Sequence, residues 1–284
     1  MQNERFETRK SRRPLPGFAF LILHFSFSLA AGLVVFAGSA VAPGEESPPE
    51  NKDQPKVLLA APLGLPLGAT TKLTLRGLKL DLASEVRLLL PGAAAPDQAA
   101  IKQLAAGKAE VPGGQEAARI GDTQVELEIT LPAELPDGPL AVAVKTPGGE
   151  SAPHELLLYR GPLSVEEEPN DSFRQASPVA APQAIDGAIR QAQDVDVFRF
   201  EASPGEKLIV EVLAARHGSP LDSIATVYAA DGGKLAANDD FDASGDSRLE
   251  VTLPQAGVYY ICLQDAHDQG GPAHVYRLLL QVQK

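Results

Sequence analysis

The sequence predicts an all-β protein: two tandem β-sandwiches that follow an N-terminal hydrophobic segment. Three observations carry this. Short apolar runs alternate with polar residues at period two, the pattern of half-buried strands. The 25 Gly and 24 Pro punctuate those runs as turns. Only the beginning of the chain carries a long uncharged apolar stretch. With 284 residues, 44% of them hydrophobic, the chain is long enough for two domains and too apolar to be disordered throughout.

Residues 1–13 hold five cations (Arg5, Arg9, Lys10, Arg12, Arg13) and two acids, and Pro14 to Gly44 carry no formal charge. A basic start, an apolar stretch and the small residues Gly38-Ser39-Ala40-Val41-Ala42 read as a secretory signal over 1–42, cut after Ala40. The alternative is a retained anchor, since the run reaches the roughly 20 residues that span a bilayer. Either way the body is exported: secreted, periplasmic or on the cell envelope. Without 1–42 the chain keeps 20 Lys+Arg and 35 Asp+Glu, a net charge of −15. That balance argues against a nucleic-acid partner. Residues 43–54, PGEESPPENKDQ, read as a Pro-rich linker.

The first folded segment covers 55–160. Lys72 to Arg76 alternates and Gly77 breaks it. Val86 to Leu90 ends at Pro91-Gly92. Val125, Leu127, Ile129 and Leu131 alternate with Glu126, Glu128 and Thr130. Pro136-Asp137-Gly138 turns the chain into Leu140, Val142 and Val144, and Glu155 to Tyr159 forms a last strand. The Ala-rich stretch 93–109 departs from this pattern and reads as a short helix or a loose insertion.

The second segment covers 161–284. Asp194 to Phe200, Lys207 to Leu213, Ile224 to Ala229, Leu249 to Leu253, Val258 to Gln264 and Val275 to Val282 read as strands with turns between them. Six oxygen-bearing side chains fall in two short stretches: Glu166, Glu168, Asn170 and Asp171, then Asp194 and Asp196. Ca²⁺ takes six to eight oxygen ligands, several of them carboxylates. Strict alternation puts Asp194 and Asp196 on the face of Phe198 and Phe200, so both acids need partners or a place beyond the core edge. The other reading is a solvated acidic linker in which Asn170-Asp171 caps a turn. A second acidic loop, Asn238 to Asp246, lacks the EF-hand order and reads as an exposed turn.

Two family resemblances follow from particular motifs. Gly68 to Gly77, Asp122-Thr123-Gln124, Leu131 to Gly138 and Thr146-Pro147-Gly148-Gly149 resemble the IPT/TIG domains of bacterial surface proteins, which implies an Ig-like sandwich without catalytic residues. In 163–284, four motifs resemble the bacterial pre-peptidase C-terminal (PPC) domain, whose family includes collagen-binding domains of secreted collagenases. They are Glu166-x-Glu168-Pro169-Asn170-Asp171, Asp194-x-Asp196-x-Phe198-x-Phe200, Leu235-Ala236-x-Asn238-Asp239-Asp240 and Leu253-Pro254-x-x-Gly257-x-Tyr259. That resemblance implies a jelly-roll-like sandwich, found beside secreted peptidases. It implies calcium ligation by Glu166, Glu168, Asn170, Asp171 and Asp196. Asp194 joins that set only as a nearby oxygen donor.

Catalytic patterns fail on spacing. His154-Glu155 opens an HExxH motif, but position 158 is Leu. Gly245-Asp246-Ser247 lacks a strand–turn–helix context. His217, His267 and His274 read as surface residues, and Cys262 as a buried, inert thiol. Of the adjacent Tyr259 and Tyr260, one faces in and one out; Tyr228 and Tyr276 are further candidates for a ligand face. The expectation is an exported, non-catalytic binding or accessory protein with a calcium-stabilised module. Its partner would be an extracellular protein or polysaccharide. The alternative is an accessory or detached part of a secreted peptidase system. Contact with a membrane is expected only through the N-terminal segment.

Overall fold

Period-two alternation builds the first sandwich. In β6 (Thr123–Thr130) Val125, Leu127 and Ile129 are buried, while Gln124, Glu126 and Glu128 face outward. β6 lies between β3 (Thr70–Leu78) and β5 (Ala100–Lys108), and β1 (Lys56–Ala61) completes the order β1-β3-β6-β5. The facing sheet has the order β2 (Gly64–Pro66), β9 (His154–Tyr159), β7 (Leu140–Thr146), β4 (Glu85–Leu89), with β8 (Gly149–Glu150) paired to β7. Their core joins Leu73, Leu75, Val125, Leu127 and Ile129 to Leu140, Val142, Val144 and Leu156.

This computed structural model describes residues 51–91, 99–113 and 115–283. The expected signal segment 1–42 and residues 43–50 of the expected linker lie outside the described residues. Among the described residues, no helix is long and apolar enough to cross a membrane.

The Ala-rich stretch is neither helix nor loose insertion where it is described. Residues 100–108 form β5, which pairs antiparallel with β6 from Ala100↔Thr130 to Lys108↔Thr123. Backbone pairing decides this, because a helix there would leave one side of β6 without a ladder partner. A short helical turn, α1 (Ala117–Ile120), follows β5 in the chain.

The second sandwich has two five-stranded sheets. One has the order β10 (Leu163–Val165), β12 (Gln183–Ala188), β19 (Val275–Gln283), β14 (Lys207–Leu213), β17 (Arg248–Thr252). The other runs β11 (Ser177–Pro178), β13 (Val195–Ala202), β18 (Gly257–Asp265), β15 (Ser223–Ala229), β16 (Lys234–Asn238). Phe198, Phe200, Tyr259, Ile261 and Leu263 meet Val210, Val212, Tyr276, Leu278 and Leu280 between them.

The two sandwiches share a junction. Leu59 and Leu63 of the first pack on Ala273 and Val275 of the second. Gly218 has φ +89°, and a Cβ there would come within 2.1 Å of the Leu58 carbonyl oxygen, so close approach requires glycine. Arg277, fully buried, forms a bidentate pair with Asp186 at 2.6 and 2.8 Å and lies 5.7 Å from the Tyr159 ring centre. His274, expected on the surface, is instead buried, because it precedes β19 against this junction; neither ring nitrogen has a partner within the protein.

Candidate metal centre

The six oxygen-bearing residues come together at one edge of the second sandwich. Glu166 follows β10, and its N–H donates to the Asp186 carbonyl at 2.8 Å. Four residues on, the Asn170 carbonyl accepts from Val197 N–H at 3.0 Å. These two bonds lay segment 166–170 across the ends of β12 and β13. Asp196 sits in β13 on the same side as Phe198 and Phe200, as strict alternation requires, and is fully buried. Asp194 precedes β13, and its Oδ2 accepts from Arg190 N–H at 2.6 Å.

Two overlapping triplets result. Glu166, Glu168 and Asp196 place carboxylate oxygens within 4.8 Å of one another, and so do Glu168, Asp171 and Asp194. Glu168 belongs to both. Glu166, Asn170, Asp194 and Asp196 form a buried floor, and the more exposed Glu168 and Asp171 form the mouth.

The hydrogen bonds define what the floor lacks. Glu166 Oε2 accepts from Ala188 N–H at 3.0 Å, and Glu166 Oε1 from Asn170 Nδ2 at 3.0 Å. The Tyr276 hydroxyl lies 2.7 Å from Asp196 Oδ2 and 3.1 Å from Glu166 Oε1. It has one proton for two carboxylates. Asn170 Oδ1 and Asp196 Oδ1 are buried without a partner. Unpaired buried acceptors each cost about 1–3 kcal/mol, and a buried charge costs more. Burial, then the hydrogen-bonding contact with and charge of Glu166, push the Asp196 carboxyl up to about 10. Burial and the Glu166, Asp194 and Asp171 charges also raise Glu168, against the pull of Asn170 N–H. A hard dication inverts this arrangement, since it takes carboxylate and amide oxygens and favours the ionised acids. All six side chains fit that donor chemistry.

Two participants escaped the sequence reading. Tyr276, considered there for an outward ligand face, is 1% exposed and serves the floor. Arg190 reaches over the mouth, with Nε 3.4 Å from Glu168 Oε1 and Nη2 4.0 Å from Glu166 Oε2. The first is placed by β12–β19 pairing, which no local motif encodes; the second stands four residues before Asp194, a weak local signal.

The remaining candidates are structural. In the second acidic loop, Asp246 is buried, not exposed: it accepts from Ala214 and Ala215 N–H at 3.0 and 2.5 Å and from Arg216 Nε at 2.6 Å. Ser247 is buried and bonded to Ser223 at 2.9 Å. His154 begins strand β9, not a helix. Cys262 faces outward from β18 and is half-buried, with its thiol pushed up to about 11 by burial. Tyr259 is buried and Tyr260 faces out, stacked on Phe173 at 4.4 Å.

A family model described as the bacterial pre-peptidase C-terminal domain matches residues 194–265. The second sandwich is a PPC-like domain. The matched range includes Asp194 and Asp196, whereas 166–171 precede it. Among solved structures, the PPC domain of Bacillus anthracis collagenase is similar at 14% identity, covering 42% of this chain and 100% of that one, with a TM-score of 0.32. A periplasmic inhibitor of g-type lysozyme from Aeromonas hydrophila is similar at 16%, covering 43% and 98%, with a TM-score of 0.30. The glucan-utilization protein SGBP-B of Bacteroides ovatus is similar at 11%, covering 82% and 74%, with a TM-score of 0.23. Comparison with curated proteins gives no match.

Proposed function

We propose that the chain is an exported, non-catalytic accessory protein whose PPC-like domain binds Ca²⁺ through Glu166, Glu168, Asn170, Asp171, Asp194 and Asp196. The observation that carries the ion is the pair of buried, unpartnered oxygens, Asn170 Oδ1 and Asp196 Oδ1, within the carboxylate cluster. The PPC match supports the accessory role, in extracellular adhesion, scaffolding or recruitment of a protein or polysaccharide. The first sandwich serves as an IPT/TIG-like, Ig-like spacer. Metal bound only by the native state stabilises it by mass action, and here it fixes segment 166–171 to β13. The family's description also supports a second reading, an accessory part of a secreted peptidase system; a peptidase encoded by a neighbouring reading frame would favour it.

Thermal unfolding of the full chain in EDTA and then in millimolar Ca²⁺ tests the ion. The expected result is a higher midpoint in calcium, absent in Asp171→Ala. Superimposable wild-type curves would remove calcium and leave an ion-independent binder or spacer.

A further inference from the structure

Arg190 is the only cation in ion-pair range of the acidic cluster among the described residues. Its side chain is 55% exposed, so it is not fixed there by packing. It also lines a groove of about 480 Å³ at the junction, formed with Val165, Gly187 and Ala188 from the second sandwich and Ala61, Pro62 and Pro66 from the first. Arg190 therefore stands between the carboxylates and the groove.

We propose that Arg190 is a built-in counter-ion that occupies the mouth of the cation site and must be displaced when the cation enters. The proposal rests on the calcium reading above and adds how that site is regulated. Glu168, whose Oε1 Arg190 faces at 3.4 Å, belongs to both carboxylate triplets, so a dication in either one needs the carboxylate that Arg190 holds. A dication and a guanidinium on one carboxylate also repel each other. Without a cation, Arg190 offsets part of the repulsion among Glu166, Glu168, Asp171 and Asp194. With one, it moves toward the groove. The exchange raises the calcium concentration needed to fill the site, because binding must break the Arg190 contacts first.

The effect follows from the size of exposed ion pairs. Removing two such contacts corresponds to about a fivefold change in affinity. Calcium titration calorimetry on the full chain, at low ionic strength where these contacts are least screened, reads it directly. Arg190→Gln is expected to bind Ca²⁺ about fivefold tighter than wild type. In chelator the same variant should unfold about 2–4 °C lower, because the cluster has lost its counter-ion. Arg190→Lys keeps the charge and should restore near-wild-type values in both measurements. A merely structural arginine would lower stability without tightening calcium binding. Equal or weaker affinity in Arg190→Gln, with calcium still binding wild type, overturns the exchange and leaves the site standing. If wild type takes up no calcium, both readings fall together.

Discussion

The first sandwich buries Arg76, Thr123, Thr146 and Ser151 as its polar residues, whereas the second buries six carboxylates: Glu166, Asp186, Asp194, Asp196, Asp246 and Asp265. In the first, Arg76 only ties down a loop, donating to the Glu110, Ile120 and Gly121 carbonyls at 2.7–3.2 Å. In the second, the acids divide into two kinds. Asp186, Asp246 and Asp265 are answered by an arginine, by backbone N–H groups, or by both. Asp196 is answered by half a tyrosine proton and keeps one oxygen without a partner. A buried carboxyl that is driven to hold a proton and still leaves an oxygen unpartnered, in a domain that otherwise satisfies its acids, is the mark of a missing positive charge.

The largest effect should come from breaking a satisfied acid. Arg277→Ala leaves Asp186 buried and unpaired and should cost about 3–5 kcal/mol in denaturant unfolding. It also removes the cation beside Tyr159, so the loss should include weakened packing at the junction. A cost below about 1 kcal/mol would mean that water reaches Asp186 and that the second sandwich does not bury charge as described.

The opposite sign is expected at the unsatisfied acid. Asp196→Asn keeps the shape and removes the cost of holding a buried acid protonated, and should stabilise the chelated protein by about 1–3 kcal/mol. It should also abolish any midpoint gain from calcium. Destabilisation in chelator would show that the Asp196 carboxyl is already satisfied and would erase the contrast with Asp186.

These contrasts were unequally legible in the sequence. Val125, Leu127 and Ile129 announced β6 because an alternating strand shows its period locally. Glu166 to Asp171 and Asp194 to Asp196 were legible as donor-rich motifs, although only the fold shows which oxygens lack partners. β5 was hidden because it is an exposed strand with no apolar period; pairing with β6 makes it a strand. Tyr276 and His274 were hidden because their burial depends on elements some 80–110 residues away or on the junction, which no short window contains.

The smallest effect separates the two regions by pH. Burial lowers the basicity of His154, His217 and His274 below that of a free imidazole. His217 further disfavours a charge on His154 across the junction, with Glu155 opposing; Asp246 and Glu155 support the His217 charge, and Arg216 and Arg277 oppose it. Asp265 supports a charge on His274 and Arg119 opposes it. The native state therefore holds these rings neutral. Below about pH 6.5 the unfolded chain takes up protons that the native chain refuses, so their stabilisation is present above that pH and declines as pH falls toward their native values. The acidic cluster behaves oppositely without metal. Its raised carboxyls take up protons in the native state first, so acidification stabilises it. In saturating calcium the ion holds those acids ionised, and that gain disappears. The fall in unfolding midpoint from pH 7 to 5 should thus be steeper in calcium than in chelator. His274→Leu should flatten the fall in both conditions, and parallel curves in calcium and chelator would show that the cluster and the junction do not differ in the sign of their proton linkage.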